Sequence, residues 1–297
     1  MKDGTIHHSF LSGAGVRLHV AQAGQTGCGS PVLLLHGFPD HWRLWESTML
    51  ALAGQHHVMA PDLRGINLSE KPLSVADYAI DHLVDDVLAL IDHLGGRCAL
   101  VGHDWGGMLA WVVAARHPAK VSCLAIFNAP HPCVFAQQLR SNPAQRAASE
   151  YVQRLCSPGA VEHLSQNHYS ALWSVRADGK HQDELNPTRT SCELAWSQPG
   201  ALDAAINWYR AVNFDAALRL DARAVPDLGA ASGHIAMRTL VVWGERDGSF
   251  PVECLDELPQ WVPQLTLRRV PDGGHWLLHD QPERVMPWLA EFLTEPS

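Results

Sequence analysis

Apolar residues along this chain fall into short unbroken runs separated by turns and by stretches of helical spacing. Pro31-Val-Leu-Leu-Leu35 is the first run and ends at His36-Gly37-Phe38-Pro39. His57 to Ala60 is the second, ended by Pro61-Asp62-Leu63-Arg64-Gly65, and Cys98 to Val101 and Val121 to Phe127 follow. Runs this short and this apolar suit strands buried on both faces. Between Ile80 and Leu94 the apolar positions Ile80, Leu83, Val84, Val87, Leu88, Ile91 and Leu94 recur at helical spacing, and Gly95-Gly96 supplies the stop. Met108 to Arg116 reads as a further helix. Strands alternating with helices predict a parallel sheet covered on both faces.

The alternation breaks at Asn128-Ala129-Pro130-His131-Pro132, and from there to about Leu218 the sequence is polar and helix-prone. It resumes with the strands Arg238–Trp243 and Leu265–Val270 and a closing helix from Pro282 to Leu293. The expected fold is therefore one α/β domain, residues 1–129 and 219–297, interrupted by a helical cap over 130–218.

Composition narrows the partners. The 297 residues are 46% hydrophobic and 18% charged, enough for a substantial core, and the formal net charge of -9 argues against nucleic acid or an anionic membrane. The 7 cysteines are scattered singly, so neither a disulfide framework nor a thiolate metal site is expected. No secretory leader and no long apolar span is read, which points to the cytoplasm.

Chemistry concentrates after the strands, where open α/β sheets bind their ligands. Gly102-His103-Asp104-Trp105-Gly106 has the frame of a nucleophile elbow, with aspartate where serine normally stands. Gly244-Glu245-Arg246-Asp247 and Pro271-Asp272-Gly273-Gly274-His275 end two later strands. The order Asp104, Asp247, His275 is that of a hydrolase triad, with His275 as base and Asp247 as its orienting acid. Asp272 is the competing acid, and Asp104 has a purely structural alternative as a helix N-cap. His103 reads as a packing residue. The tryptophans, among them Trp42, Trp45, Trp105 and Trp173, suggest an apolar pocket as well as core.

The segments HGFPDHWRLW, PDLRGINLSEKP, GHDWGG, GERD and DGGHW together resemble the epoxide hydrolase branch of the α/β-hydrolases, from about residue 16 to 294. The elbow segment by itself is shared with haloalkane dehalogenases. The resemblance implies that Asp104 attacks an electrophilic carbon, and an ionised carboxylate needs no base to do so. It implies an ester that water, deprotonated by His275, then hydrolyses. Backbone N–H groups of Phe38 and Trp105 would hold the resulting oxyanion. Two cap tyrosines would protonate the opened oxygen: Tyr209, in Asn207-Trp208-Tyr209-Arg210, and Tyr151 rather than Tyr169. No metal and no cofactor are expected, and the partners are a small apolar epoxide and water. A haloalkane or haloacid dehalogenase is the nearest alternative. Against it, Phe38 stands where haloalkane dehalogenases carry asparagine, and Trp105 where fluoroacetate dehalogenases carry arginine. A ligand receptor that has kept the fold without catalysis is the alternative of another class.

Overall fold

The computed structural model describes residues 5–27, 29–176, 187–214 and 233–294. Its sheet runs β1 (His7–Ser12), β2 (Arg17–Ala23), β3 (Val32–Leu35), β4 (Val58–Pro61), β5 (Cys98–His103), β6 (Val121–Phe127), β7 (Thr239–Gly244) and β8 (Leu265–Val270). The spatial order is β1-β2-β4-β3-β5-β6-β7-β8, antiparallel at β1/β2 and β2/β4 and parallel from β4 to β8. The apolar runs thus mark the parallel strands to within two residues, and two antiparallel strands precede them.

The central strands β3, β4, β5 and β7 are buried at every position, because helices cover both faces. On one face α2 (Ile80–His93) and α3 (Trp105–Arg116), after α1 (Glu46–Leu52) in the chain, pack Leu83, Val84, Val87, Met108 and Val112 against Leu33, Leu35, Leu100 and Val241. On the other, Trp45, Met49 and Leu52 join Val285, Leu289 and Phe292 of the C-terminal helix Pro282–Thr294. The loop after β4 is anchored by a buried ion pair, with Arg64 Nε donating to Asp86 Oδ2 of α2 at 2.7 Å.

Between β6 and β7 the described chain is helical: α4 (Pro132–Ser141), α5 (Pro143–Ser149), α6 (Tyr151–Cys156), α7 (Ala160–Arg176), α8 (Pro187–Trp196) and α9 (Ala201–Ala211). This bundle sits over the carboxyl ends of the strands, its apolar side merging with the core on the α2/α3 face. The expected cap boundary at Leu218 lies outside the described residues.

Candidate active site

A sharp turn joins β5 to α3, and Asp104 stands at its apex with φ 52 and ψ -124. That backbone is unfavourable for a residue with a Cβ, costing about 1–3 kcal/mol. Packing enforces it: a Cβ on Gly106 would collide with the Leu35 carbonyl, and one on Gly37 with the Asp104 side chain. The Asp104 carboxylate makes no cap bond to its own helix. Instead Oδ1 accepts the Phe38 N–H at 2.8 Å, and the Trp105 N–H also points to the carboxylate. Asp104 thus occupies the N-cap position without a side-chain capping bond.

His275 comes to the same point from the loop after β8. Its Nε2 lies 3.4 Å from Asp104 Oδ2, and its Nδ1 is 2.8 Å from Asp247 Oδ2. Asp247, after β7, has its other oxygen fixed by the N–H groups of Ser249 at 2.7 Å and Phe250 at 3.0 Å. Asp272, the competing acid, is exposed and pairs with Arg284 instead.

One contributor carried no signal in the sequence beyond its position at a strand end. Asn128, directly after β6, is fully buried and donates from Nδ2 to Asp247 Oδ2 at 2.7 Å. Its Oδ1 accepts the Gly244 N–H at 3.1 Å, so one side chain ties the ends of β6 and β7 to the acid.

Electrostatics within this cluster are coupled. Burial opposes a charge on Asp104, but the hydrogen bond and charge of His275, with the Trp105 N–H, outweigh it and hold the carboxyl below its usual value. Burial alone would push His275 down. The charges and hydrogen bonds of Asp247 and Asp104 reverse this and raise it to about 10. In the free protein near neutral pH the imidazolium thus sits between two carboxylates. His103, beside it, donates from Nε2 to the His275 carbonyl at 2.9 Å, and burial with the neighbouring His275 lowers it to about 4. It is neutral.

Above Asp104 lies a narrow pocket lined by Trp105, Met108, Phe135, Phe214 and Phe250 and by the phenols of Tyr151 and Tyr209. Tyr151 begins α6 and Tyr209 lies in the last turn of α9, their ring centroids 6.3 Å apart. The Tyr209 ring stands edge-on to Trp105 at 5.1 Å and Phe38 at 5.6 Å, which fixes it over the elbow. Burial, and after it the Asp104 charge, pushes the Tyr151 phenol well above its ordinary value; burial with the neighbouring Tyr151 does the same for Tyr209. Both remain proton donors at neutral pH. Tyr169 is elsewhere, at a kink in α7, with its ring against Trp196. Of the tryptophans, Trp105 lines the cavity, whereas Trp45 is buried beneath the sheet against Phe127.

Known proteins resemble this chain along nearly its whole length. A profile for the alpha/beta hydrolase fold matches residues 30–282. Mouse epoxide hydrolase 4 is 33% identical over 304 residues, covering 99% of this chain and 81% of that protein. The Bacillus subtilis AB hydrolase superfamily protein YfhM is 32% identical over 96% of each. The crystal structure of a Bacillus megaterium epoxide hydrolase bound to an inhibitor superposes with a TM-score of 0.87 at 31% identity, over 97% of this chain and all of that one, 100%. The chain belongs to the epoxide hydrolase family of α/β-hydrolases.

Within that family framework the cluster has the parts that a two-step hydrolysis requires: a charged carboxylate, a histidine with its own acid, paired N–H donors and two neutral phenols. Among the described residues no group of His, Cys, Asp and Glu is placed to hold a metal, and no helix is long and apolar enough to cross a membrane.

Proposed function

We propose that this protein hydrolyses a small apolar epoxide to a vicinal diol through an ester on Asp104. The single observation that carries the reading is the Asp104 carboxylate itself. Its Oδ1 is held by the Phe38 N–H, and its Oδ2 is faced by His275 beneath the phenols of Tyr151 and Tyr209. The helices over 132–211 act as the cap of a core formed by residues 1–129 and 219–297, with the cap segment spanning 130–218.

In the first step a carboxylate oxygen of Asp104 bonds to an epoxide carbon as the ring C–O bond breaks. The released oxygen takes a proton from the Tyr151/Tyr209 pair, which avoids a free alkoxide. The product is a neutral hydroxyalkyl ester. Esterification removes one of the two carboxylate charges that hold the proton on His275, so its affinity for that proton falls and the proton passes to the tyrosinate left by the first step, which restores the phenol and frees His275 as a base. In the second step His275, oriented by Asp247, takes a proton from water, and the hydroxide adds to the ester carbonyl carbon. The oxyanion sits against the N–H groups of Phe38 and Trp105 until collapse expels the diol and restores the carboxylate. An apolar cavity wall favours an aryl or alkyl epoxide over a charged one.

His275→Gln tests the division of labour. This variant should still form the ester but hydrolyse it at a negligible rate, so intact-protein mass after exposure to a styrene-type epoxide should rise by one substrate. A folded variant that gains no mass from any epoxide in a panel of terminal, aryl and aliphatic substrates removes the proposal.

A further inference from the structure

The cap–core seam is crossed by indole N–H groups, each donating to a main-chain carbonyl. Trp208 of α9 donates to Arg64 C=O at 2.9 Å, and Trp276, beside His275, donates to Val175 C=O of α7 at 3.2 Å. The third, from Trp196 at the end of α8, reaches Pro39 C=O at 2.7 Å in a buried contact. Pro39 follows Phe38, whose N–H holds Asp104 Oδ1. A second link from the same helix lies two residues on, where Ser191 Oγ and His41 Nε2 are 2.9 Å apart. The Trp196 ring is itself fixed, with Trp173 at 4.9 Å and Tyr169 at 5.5 Å between centroids.

We propose that Trp196 is a positioning residue for the hydrolytic half of the reaction: from the cap it fixes the loop that presents the Phe38 N–H to the Asp104 carbonyl oxygen. This rests on the epoxide hydrolase reading above. From the core side the loop is held by the His36 ring, whose Nδ1 donates to Gly37 C=O at 2.9 Å and whose Nε2 accepts the Leu63 N–H at 3.1 Å, and by Asp40, whose Oδ2 accepts from His279 Nε2 at 3.0 Å. From the cap side Trp196 adds a bond to the Pro39 carbonyl itself, one residue from the Phe38 N–H.

The two half-reactions make different demands on this loop. Ester formation removes negative charge from the carboxylate, so a hydrogen bond to Oδ1 weakens as the step proceeds and contributes little to its rate. Ester hydrolysis places full negative charge on that oxygen, so the same donor strengthens in the transition state. Loosening the loop therefore acts on hydrolysis. The cap thus serves both steps from separate helices, with α6 and α9 carrying the phenols and α8 bracing the oxyanion donor.

Trp196→Phe removes the indole N–H while keeping an aromatic ring in the Trp173/Tyr169 packing. It should slow hydrolysis about tenfold, short of the hundredfold to thousandfold loss that follows deletion of an oxyanion donor itself. Slowing only the second step lowers kcat and KM together and leaves kcat/KM nearly unchanged. Ester should then build up during steady-state turnover of an aryl epoxide, read as the ester-bearing fraction in acid-quenched intact mass spectra. Trp208→Phe is the control, since it cuts a seam bond of the same kind on the helix that carries Tyr209. It should lower kcat/KM with no build-up of ester. Equal behaviour of the two variants, or no ester build-up in Trp196→Phe, overturns the inference while a mass gain in His275→Gln leaves the parent reading standing. Absence of that mass gain overturns both. Should Trp196→Phe fail to fold, Ser191→Ala removes the lesser α8 link and should show the same signature at smaller amplitude; its absence there counts equally against the inference.

Discussion

A buried carboxylate proposed as a nucleophile must stay charged where burial disfavours charge, and Asp104 meets that demand by sharing His275 with Asp247. The arrangement has a pH consequence with a definite sign. In the free enzyme His275 keeps its proton up to about 10, and Asp104, held below its usual value, stays ionised through the neutral range, so ester formation should be flat there. In the ester, His275 has lost the Asp104 charge and must be neutral to act as base. Hydrolysis should therefore fall as pH drops through a histidine value below that of the free enzyme, and ester should accumulate on the acid side. Stopped-flow separation of the two phases between about pH 5 and about 9 checks this. A hydrolysis rate that does not change over that range contradicts the assignment of His275 as base. Asp104, Asp247 and His275 were legible because each sits in a motif at a strand end. Asn128 was not, since its sequence neighbours Ala129 and Pro130 mark only the end of a strand, and its bond to Asp247 spans 119 positions.

Elements were legible where burial makes the apolar pattern continuous. The parallel strands qualify, but β1 does not, because as an edge strand it buries none of its residues fully and has no apolar run to show. In β2 the run is broken by His19, a polar residue that is buried because its Nδ1 pairs with Asp62 at 2.7 Å. Helix α3 starts at Trp105, ahead of the expected Met108, because Gly106 and Gly107 read as helix breakers while the elbow needs residues that small. The cap helices are the elements whose role depends most on tertiary placement: Tyr151 and Tyr209 lie 58 positions apart in sequence (209 minus 151) and meet only when α6 packs on α9. Tyr209→Phe keeps the ring against Trp105 and Phe38 and removes one donor to the epoxide oxygen. Ester formation should slow by up to about a hundredfold, with partial compensation by Tyr151, while hydrolysis of preformed ester stays within a few-fold of wild type. Rapid-mixing kinetics on a single epoxide give both rates. Equal slowing of the two phases, or of hydrolysis alone, contradicts the role of the phenol.

The whole chain assembles its site from the ends of four parallel strands, β3, β5, β7 and β8, closed by helices inserted after a fifth, β6. In the proposed reaction the core brings the carboxylate, its donors and its base, and the inserted helices bring the phenols, the apolar walls and the brace on the Phe38 loop. What distinguishes that reaction from direct attack by water is the source of the new oxygen in the diol. A single turnover with enzyme in excess, run in heavy-oxygen water, reads that source. Attack by Asp104 predicts diol without the label and one heavy oxygen retained in the Asp104 carboxylate, located by peptide mass spectrometry. Labelled diol from that first turnover, with Asp104 unlabelled, would contradict the account at its centre.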